Sequence, residues 1–528
     1  EIYVRAFADS NADGHGDLRG LIDKLDYLKD LGIDCIWLLP IYCSPLKDDG
    51  YDISDFYTIS GDFGHVDDLR LLIEETHARG MRLIMDLVVN HTSDQHPWFQ
   101  AARQDRNSPY RDYYVWSDND QKYKGTRIIF LDTEKSNWTW DEKAGQYYWH
   151  RFYSSQPDLN FDNPKVQQEM IDIMDYWLSM GIDGFRVDAV PYLFEREGTN
   201  CENLPETHQY LKRMRQFIEQ KYPQCILLCE ANQWPEDVRP YFGEGDEFHM
   251  GFHFPIMPRI YMAIGQEDNR SLINIIERTP QIPEKCQWCT FLRNHDELTL
   301  EMVTEEERQW MWEHYAPEPG MRLNLGIRRR LAPLLDNDQQ KILLAYSLLF
   351  TLPGSPIIYY GDEIGMGDNI ELFDRNGLRT PMQWNSSCNG GFSTADPSQL
   401  YAPLIAREPY DVCHVNVEDQ QKNPNSLLNR LKHMIAVRKN NSAFATGHLQ
   451  WVEPENRTLA AYWRESEQDK LFICNNLSSK KQAISITLPR GLYTEIEDIL
   501  SGGKIKTPQS EKLKLELEVH HFVWLKIH

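Results

Sequence analysis

Gly184-Phe185-Arg186-Val187-Asp188 decides how this chain is read. Apolar and charged residues alternate through it, so as a strand it carries Arg186 and Asp188 on one side. A helical run over Val166–Met180 precedes it. Another, Tyr210–Lys221, follows and leads into Cys225-Ile226-Leu227-Leu228-Cys229, an apolar strand ending at Glu230. Outward from this unit the pattern repeats. Strand-like runs fall at Ile2–Phe7, Cys35–Leu39, Arg82–Leu87, Glu247–His253, Cys289–Leu292 and Pro356–Tyr359, which with the two above make eight. Helical runs at Leu18–Leu31, Val66–Arg79, Lys341–Leu352 and Leu427–Arg438 intervene. Strand–helix alternation of this kind implies a parallel sheet with helical crossovers. The fold class expected is α/β, a (β/α)8 barrel.

Two stretches break the rhythm. From His91 to about Phe152 the chain is polar, aromatic and too long for an ordinary loop. It reads as an inserted subdomain (92–152) after the third strand, dividing the barrel into 1–91 and 153–442. From about Ala443 short alternating runs with turns, such as Ser501-Gly502-Gly503, predict an antiparallel β-sandwich over 443–528.

The rim of such a barrel is where catalytic groups gather, because each strand's C-terminal end opens there. The strand ends here deliver Asp86-Leu87-Val88-Val89-Asn90-His91, Asp188, Glu230 and Asn294-His295-Asp296. Three acids on one rim, Asp188, Glu230 and Asp296, point to glycosyl transfer. Cleaving a glycosidic bond takes one carboxylate as nucleophile or base and a second as acid. Taken singly, each acid reads as a loop cap and each histidine as a structural hydrogen-bonder. Their convergence at one rim carries the functional reading.

Composition narrows the partners. The net charge of −25 argues against nucleic acid and anionic membranes, both of which need basic patches. A neutral small molecule suits it better. No apolar run approaches the roughly 20 residues that span a bilayer. Ten cysteines, several inside apolar runs, and the lack of a secretory leader predict a reduced cytoplasm. The lone Cys286-x-x-Cys289 is weak support for a metal or redox site.

Together these motifs resemble the α-amylase superfamily, glycoside hydrolase family 13, over nearly the whole length. Gln156-Pro157-Asp158-Leu159-Asn160 is similar to a motif of its oligo-1,6-glucosidase-like branch. The resemblance implies Asp188 as nucleophile, Glu230 as general acid and then base, and Asp296 as the group that fixes substrate hydroxyls. Arg186 would keep Asp188 ionised, lowering its pKa. His91 and His295 would donate to the terminal glucose. Asp48 and Tyr51 would clamp and stack on it, and Arg379 would pair with Asp48 to block deeper subsites. The family often associates, but no interface that would make a homo-oligomer is visible in the sequence.

Asp9-Ser10-Asn11-Ala12-Asp13-Gly14-His15-Gly16-Asp17 puts oxygen ligands at alternate positions, as in the start of an EF-hand loop. The twelfth position is Gly20, so the bidentate glutamate is missing. A structural Ca2+ on Asp9, Asn11, Asp13, the His15 carbonyl and Asp17 is expected, with Mg2+ an alternative occupant and a metal-free turn the bland reading. No organic cofactor is expected.

The segment after Asp296, through Arg328-Arg329-Arg330 to about residue 335, resembles the branch that isomerises maltose to trehalose, as does Tyr359-Tyr360-Gly361-Asp362-Glu363. That implies intramolecular transglucosylation with minor hydrolysis, a disaccharide substrate, and a lid over 297–335 that keeps water out. The bland reading of the three arginines is a solvated helix face. A hydrolytic α-glucosidase or oligo-1,6-glucosidase is the alternative, a sucrose isomerase a weaker one. A non-catalytic accessory subunit is the least favoured, because all three acids are present.

Overall fold

In the computed structural model, which describes residues 1–453, 455–488, 495–506 and 512–528, seven parallel strands curl around a common core. They are β1 (Cys35–Leu38), β2 (Arg82–Val88), β3 (Gly184–Asp188), β4 (Ile226–Cys229), β5 (Met250–Phe252), β6 (Gln287–Phe291) and β7 (Ser355–Ile357), hydrogen-bonded in that order. The eighth stave is only a bridge. Ile2 N–H donates to Trp37 O (2.8 Å) and its carbonyl accepts from Leu39 (3.0 Å), while the Glu1 carbonyl accepts from Tyr360 (3.1 Å). Residues 1–2 thus join β1 to the chain just past β7 and close the barrel.

The expected first strand, Ile2–Phe7, is therefore corrected. Past the bridge the chain turns into a helical turn, Val4–Phe7, whose Val4, Ala6 and Phe7 are buried. A short apolar run does not by itself separate strand from buried helix. The expected helix Leu18–Leu31 is two helices, Leu18–Asp23 and Leu25–Leu31, divided at Lys24. Leu21, Leu25, Leu28 and Leu31 still share the core.

After β2 the chain leaves the barrel. The excursion holds a helix (Pro97–Gln104) and a three-stranded antiparallel sheet of Trp116–Ser117, Trp138–Asp141 and Gln146–Trp149. After β6 a second excursion builds a smaller sheet from Leu298–Thr299, Arg322–Leu323 and Gly326–Ile327, with the helix Glu305–Tyr315 between its first two strands. Beyond the helix Leu427–Lys439 two antiparallel sheets, six-stranded and two-stranded, enclose their own apolar core of Leu459, Trp463, Phe472, Ile484, Leu513 and Leu525 among others. Its strands include His448–Trp451, Glu495–Asp498 and Gly503–Lys506, which the sequence reading did not assign. Among the described residues no helix is long and apolar enough to cross a membrane.

Candidate active site

The strand ends converge as parallel register requires. β2 and β3 pair Asp86 with Arg186 and Val88 with Asp188, and β3 pairs Val187 with Cys229, one residue before Glu230. One guanidinium sits at the centre. Arg186 reaches Asp86 (2.6 Å) and Asp188 (2.5 Å) through Nη1 and Glu230 (2.6 Å) through Nη2. Asp188 and Glu230 also hydrogen-bond each other. Two acids that touch and share one cation stand closer than the roughly 6.5–9.5 Å needed to place a water between them.

Burial divides their titrations. It pushes the Asp188 carboxyl up to about 6, against the pull of Arg186. Arg186 does lower the Asp188 pKa, as expected, but desolvation outweighs the cation. Glu230 is pushed up to about 8, again by burial first, with Arg186 opposing and the charges of Asp188 and Asp296 adding. At neutral pH the first is mainly ionised and the second mainly protonated, the division of labour between nucleophile and acid. Asp296 goes the other way. Burial would raise it, but His295, Arg375 and Arg379 together hold it well below the usual carboxylate range.

The terminal-sugar end of the pocket differs from expectation in its arginine. Asp48 pairs with Arg375 (2.6 Å), not Arg379. Arg375 also reaches Asp296 (2.8 Å), while Arg379 binds Asp49 (2.6 Å) and Asp296 (3.1 Å). The two arginines flank a 3-10 turn, Asn376–Leu378, which sets them side by side with Arg375 nearer the pocket. Arg375 lies outside the motif that drew attention to Arg379; the only hint in the sequence is its place four residues earlier. Asp86, the third carboxylate on Arg186, was read as part of a motif but given no role.

Gln156 donates to Asp48 (2.8 Å). The Tyr51 hydroxyl donates to Asp86 (3.2 Å), and its ring stacks on His295 at 5.1 Å and 11°. His91 Nε2 lies 3.2 Å from the Tyr51 carbonyl, and burial pushes its ring down to about 3, so it is neutral. The pocket formed by these groups spans about 940 Å3 with its open mouth included. Both excursions roof it: Ile129, Phe130 and Phe152 from the first, Glu297, Thr299, Glu301, Asn324 and Leu325 from the second.

The two roof pieces hold each other. Arg127 pairs with Glu301 (2.6 Å) and with Glu202 (2.8 Å). The Asn324 backbone N–H donates to Asp132 (2.7 Å), and its side chain to Glu297 (3.0 Å). The three arginines at the far end are not a solvated face. Arg328 donates to the carbonyls of Ile370, Leu372 and Asp374, Arg329 pairs with Asp368 (3.0 Å), and Arg330, fully buried, pairs with Asp362 (3.0 Å). They fasten the second excursion to the loop that carries Arg375.

The α-amylase catalytic-domain profile matches residues 1–316 and 328–447. The chain belongs to the α-amylase family. Its last residues, 449–524, match the C-terminal domain of maltogenic amylases. Within the family, the stretch the catalytic profile skips is the tip of the second roof piece. The chain is 55% identical to a trehalose synthase/amylase of Mycobacterium tuberculosis, covering 100% of this chain and 89% of that protein. It is 52% identical to a trehalose synthase of Pimelobacter sp. strain R48, covering 100% and 94%. Among solved structures, an α-amylase of H.orenii superposes with a TM-score of 0.80 at 30% identity, covering 100% of this chain and 98% of the other. An isomaltulose synthase of Erwinia rhapontici NX5 bound to D-glucose gives 0.80 at 28% identity, covering 100% and 97%.

The loop Asp9–Asp17 stands apart from these acids in its bonding. Asp9 accepts from the backbone of Asn11, Ala12 and Gly14, Asn11 from that of Asp13, and Asp13 from that of His15. Asp17 caps the next helix through Gly20 N–H (2.7 Å). Among the described residues no three His, Cys, Asp or Glu side chains cluster to hold a metal ion. The donors available in this loop are oxygens throughout, the set a hard cation prefers.

Proposed function

We propose that this protein isomerises maltose to trehalose by a retaining double displacement. The observation that carries this reading is the roof. A pocket of paired acids is closed by Arg127–Glu301 and Asn324–Asp132, contacts that hydrolysis, which needs water, does not require. The trehalose synthase relatives support it.

Glu230 protonates the bridging oxygen while Asp188 attacks the anomeric carbon and holds the first glucose covalently. Arg375 and Asp48 close the pocket behind that glucose, and Asp296 and His295 hold its hydroxyls. The second glucose, kept under the roof, turns over. Glu230 now accepts the proton of its anomeric hydroxyl, which attacks the glucosyl–Asp188 bond from the side the first leaving group used. The product is an α,α-1,1 linkage, and escape of water into the pocket yields two glucoses instead.

Incubation with maltose, with products resolved by carbon-13 NMR over time, tests the reading. Trehalose is expected to appear faster than glucose. Glucose alone would make the protein a hydrolytic α-glucosidase with the same acids.

The Asp9–Asp17 loop is proposed to bind Ca2+ through Asp9, Asn11, Asp13, the His15 carbonyl and Asp17. Its support is the oxygen-only donor set on alternate residues; Asp17 would have to share its capping bond. Added Ca2+ should raise the melting temperature, and an unchanged melting curve from chelator to millimolar Ca2+ would remove the proposal. A reducing, cytoplasmic setting suits the ten free cysteines, Cys286 and Cys289 among them.

A further inference from the structure

Five residues form a closed circuit at the terminal-sugar end of the pocket. Asp48 Oδ1 accepts from Arg375 Nη2 (2.6 Å), and Asp48 Oδ2 accepts from the Gln156 side chain (2.8 Å). The side-chain oxygen of Gln156 in turn accepts from the Tyr153 backbone N–H (3.2 Å). The Tyr153 hydroxyl donates to Asp374 Oδ2 (2.6 Å), and Asp374 Oδ1 lies 3.2 Å from Arg375 Nε, which brings the circuit back to its start. That last link is a charge contact, since Nε has no hydrogen-bond partner among the described residues. Tyr153 therefore acts at two points of the ring, through its backbone on Gln156 and through its hydroxyl on Asp374.

Asp48, Asp296 and Arg375 line the pocket, whereas Tyr153 and Asp374 stand behind its wall. The difference matters when sugar binds. The carboxylates of Asp48 and Asp296 hold Arg375 from the pocket side, where sugar hydroxyls compete for the same oxygens. Asp374 holds it from the other side, away from that competition. Burial would raise Asp374, but Arg375 and then the Tyr153 hydroxyl hold it below the usual carboxylate range, so it is charged at neutral pH. Its surroundings are pinned as well. The Tyr153 ring packs on Phe130 at 4.5 Å, the Arg375 guanidinium lies 5.2 Å from the centre of that same ring, and Arg328 donates to the Leu372 and Asp374 carbonyls (2.8 and 2.7 Å). Asp374 takes a left-handed backbone, φ 52°. Aspartate tolerates that better than most residues, so its bland reading is a turn former. A turn former need not engage both carboxylate oxygens, one on a tyrosine and one on the clamp arginine.

We propose that Tyr153 and Asp374 are positioning residues that keep the Asp48–Arg375 pair set for the terminal glucose while its hydroxyls bind. Both act through Arg375 and Asp48 and not on the substrate itself. Because Tyr153 stands at the root of the first roof piece and Arg328 belongs to the second, the grip on the sugar depends on both pieces being seated.

The inference rests on the glycosyl-transfer reading of the site, but its test does not need trehalose to form. The readouts are KM and kcat for release of nitrophenol from 4-nitrophenyl α-D-glucoside, and the affinity for D-glucose by calorimetry. Tyr153→Phe keeps the ring against Phe130 and removes only the hydroxyl. It should raise KM about tenfold, the size of one hydrogen bond to a charged group. The change in kcat should stay within about twofold, because contacts to the terminal glucose serve substrate and transition state alike. Glucose affinity should fall in step, with the melting curve kept. Asp374→Gly keeps the turn, since glycine is at ease at positive φ, and should raise KM at least as much. In the Arg375→Ala protein, Tyr153→Phe should add less than about twofold, because its effect passes through the missing arginine. An unchanged KM in Asp374→Gly would overturn the proposal and leave Asp374 a turn former. A full tenfold loss from Tyr153→Phe in the Arg375→Ala protein would overturn it too, since the hydroxyl would then act elsewhere. Failure to make trehalose from maltose with these KM shifts intact would instead refute the isomerase reading and leave this one standing.

Discussion

The same barrel carries a cavity at each end, and the two differ in what lines them. The rim pocket, of about 940 Å3 with its mouth included, has carboxylates, histidines and Arg375 on its floor beneath a partly apolar roof. The cavity at the strand beginnings is larger, about 1660 Å3, and is lined mostly by Leu31, Ile36, Ile84, Ile226, Leu228 and similar side chains. Size does not make a site. The rim holds convergent charges whose titrations are driven apart, and the base holds surface that stabilises the fold. In barrels of this type the C-terminal face is the chemical one and the N-terminal face the structural one.

Substitutions at the two ends should separate these roles. The largest effect is expected at the acids. Asp188→Asn should lower kcat by ~10^4-fold or more, and Glu230→Gln by ~10^2–10^4-fold, with the fold intact by thermal melting. The unmodified protein should follow a bell-shaped pH profile, rising near 6 as Asp188 ionises and falling near 8 as Glu230 loses its proton. A profile flat across that range would break the acid assignment. Arg375→Ala, which leaves buried Asp48 without its cation, should cost about 100-fold in kcat/KM for maltose; Arg379→Ala is the control that ranks the two arginines.

At the other end, Leu31→Ala should destabilise by ~2–5 kcal/mol in urea unfolding yet leave the ratio of trehalose to glucose unchanged. A shift in that ratio would show that the base is coupled to the chemistry and would spoil the contrast. The smallest effect is expected at the roof. Arg127 is 40% exposed, so its pair with Glu301 is partly screened. Removing it by Arg127→Ala should raise the glucose fraction by only about two- to fivefold, an energy within the ~0–1 kcal/mol of exposed pairs. High salt should act in the same direction.

Much of this was readable in the sequence, for identifiable reasons. Apolar runs ending in polar residues placed β1 to β7 and the three acids, because a strand's period and the rim's chemistry are both local. What was missed depends on contacts between distant segments. Arg375 was overlooked in favour of Arg379, since only the folded 3-10 turn decides which of two arginines faces Asp48. For Arg328, Arg329 and Arg330 the sequence left a solvated face open beside a lid, because Ile370, Asp368 and Asp362, which bind them, lie more than thirty residues away. Ile2–Phe7 looked like strand because three apolar residues begin it, yet only Ile2 pairs. The pull of Arg186 on Asp188 was readable, but the larger push from burial was not, because desolvation is a property of the assembled pocket.

The second roof piece has a fastened edge and a latched one. Arg328, Arg329 and Arg330 bind it to residues 362–374, and one residue further on Arg375 grips Asp48 and Asp296. The edge that meets the first roof piece is held through Asn324 and Glu301. This is the plan of a door, hinge on one side and latch on the other, with the hinge screwed into the same post as the substrate clamp. Lengthening or shortening the door is therefore not a free change. Any new span that shifts the hinge also shifts the clamp, so its tip can drift in sequence while its root stays tied to the reaction.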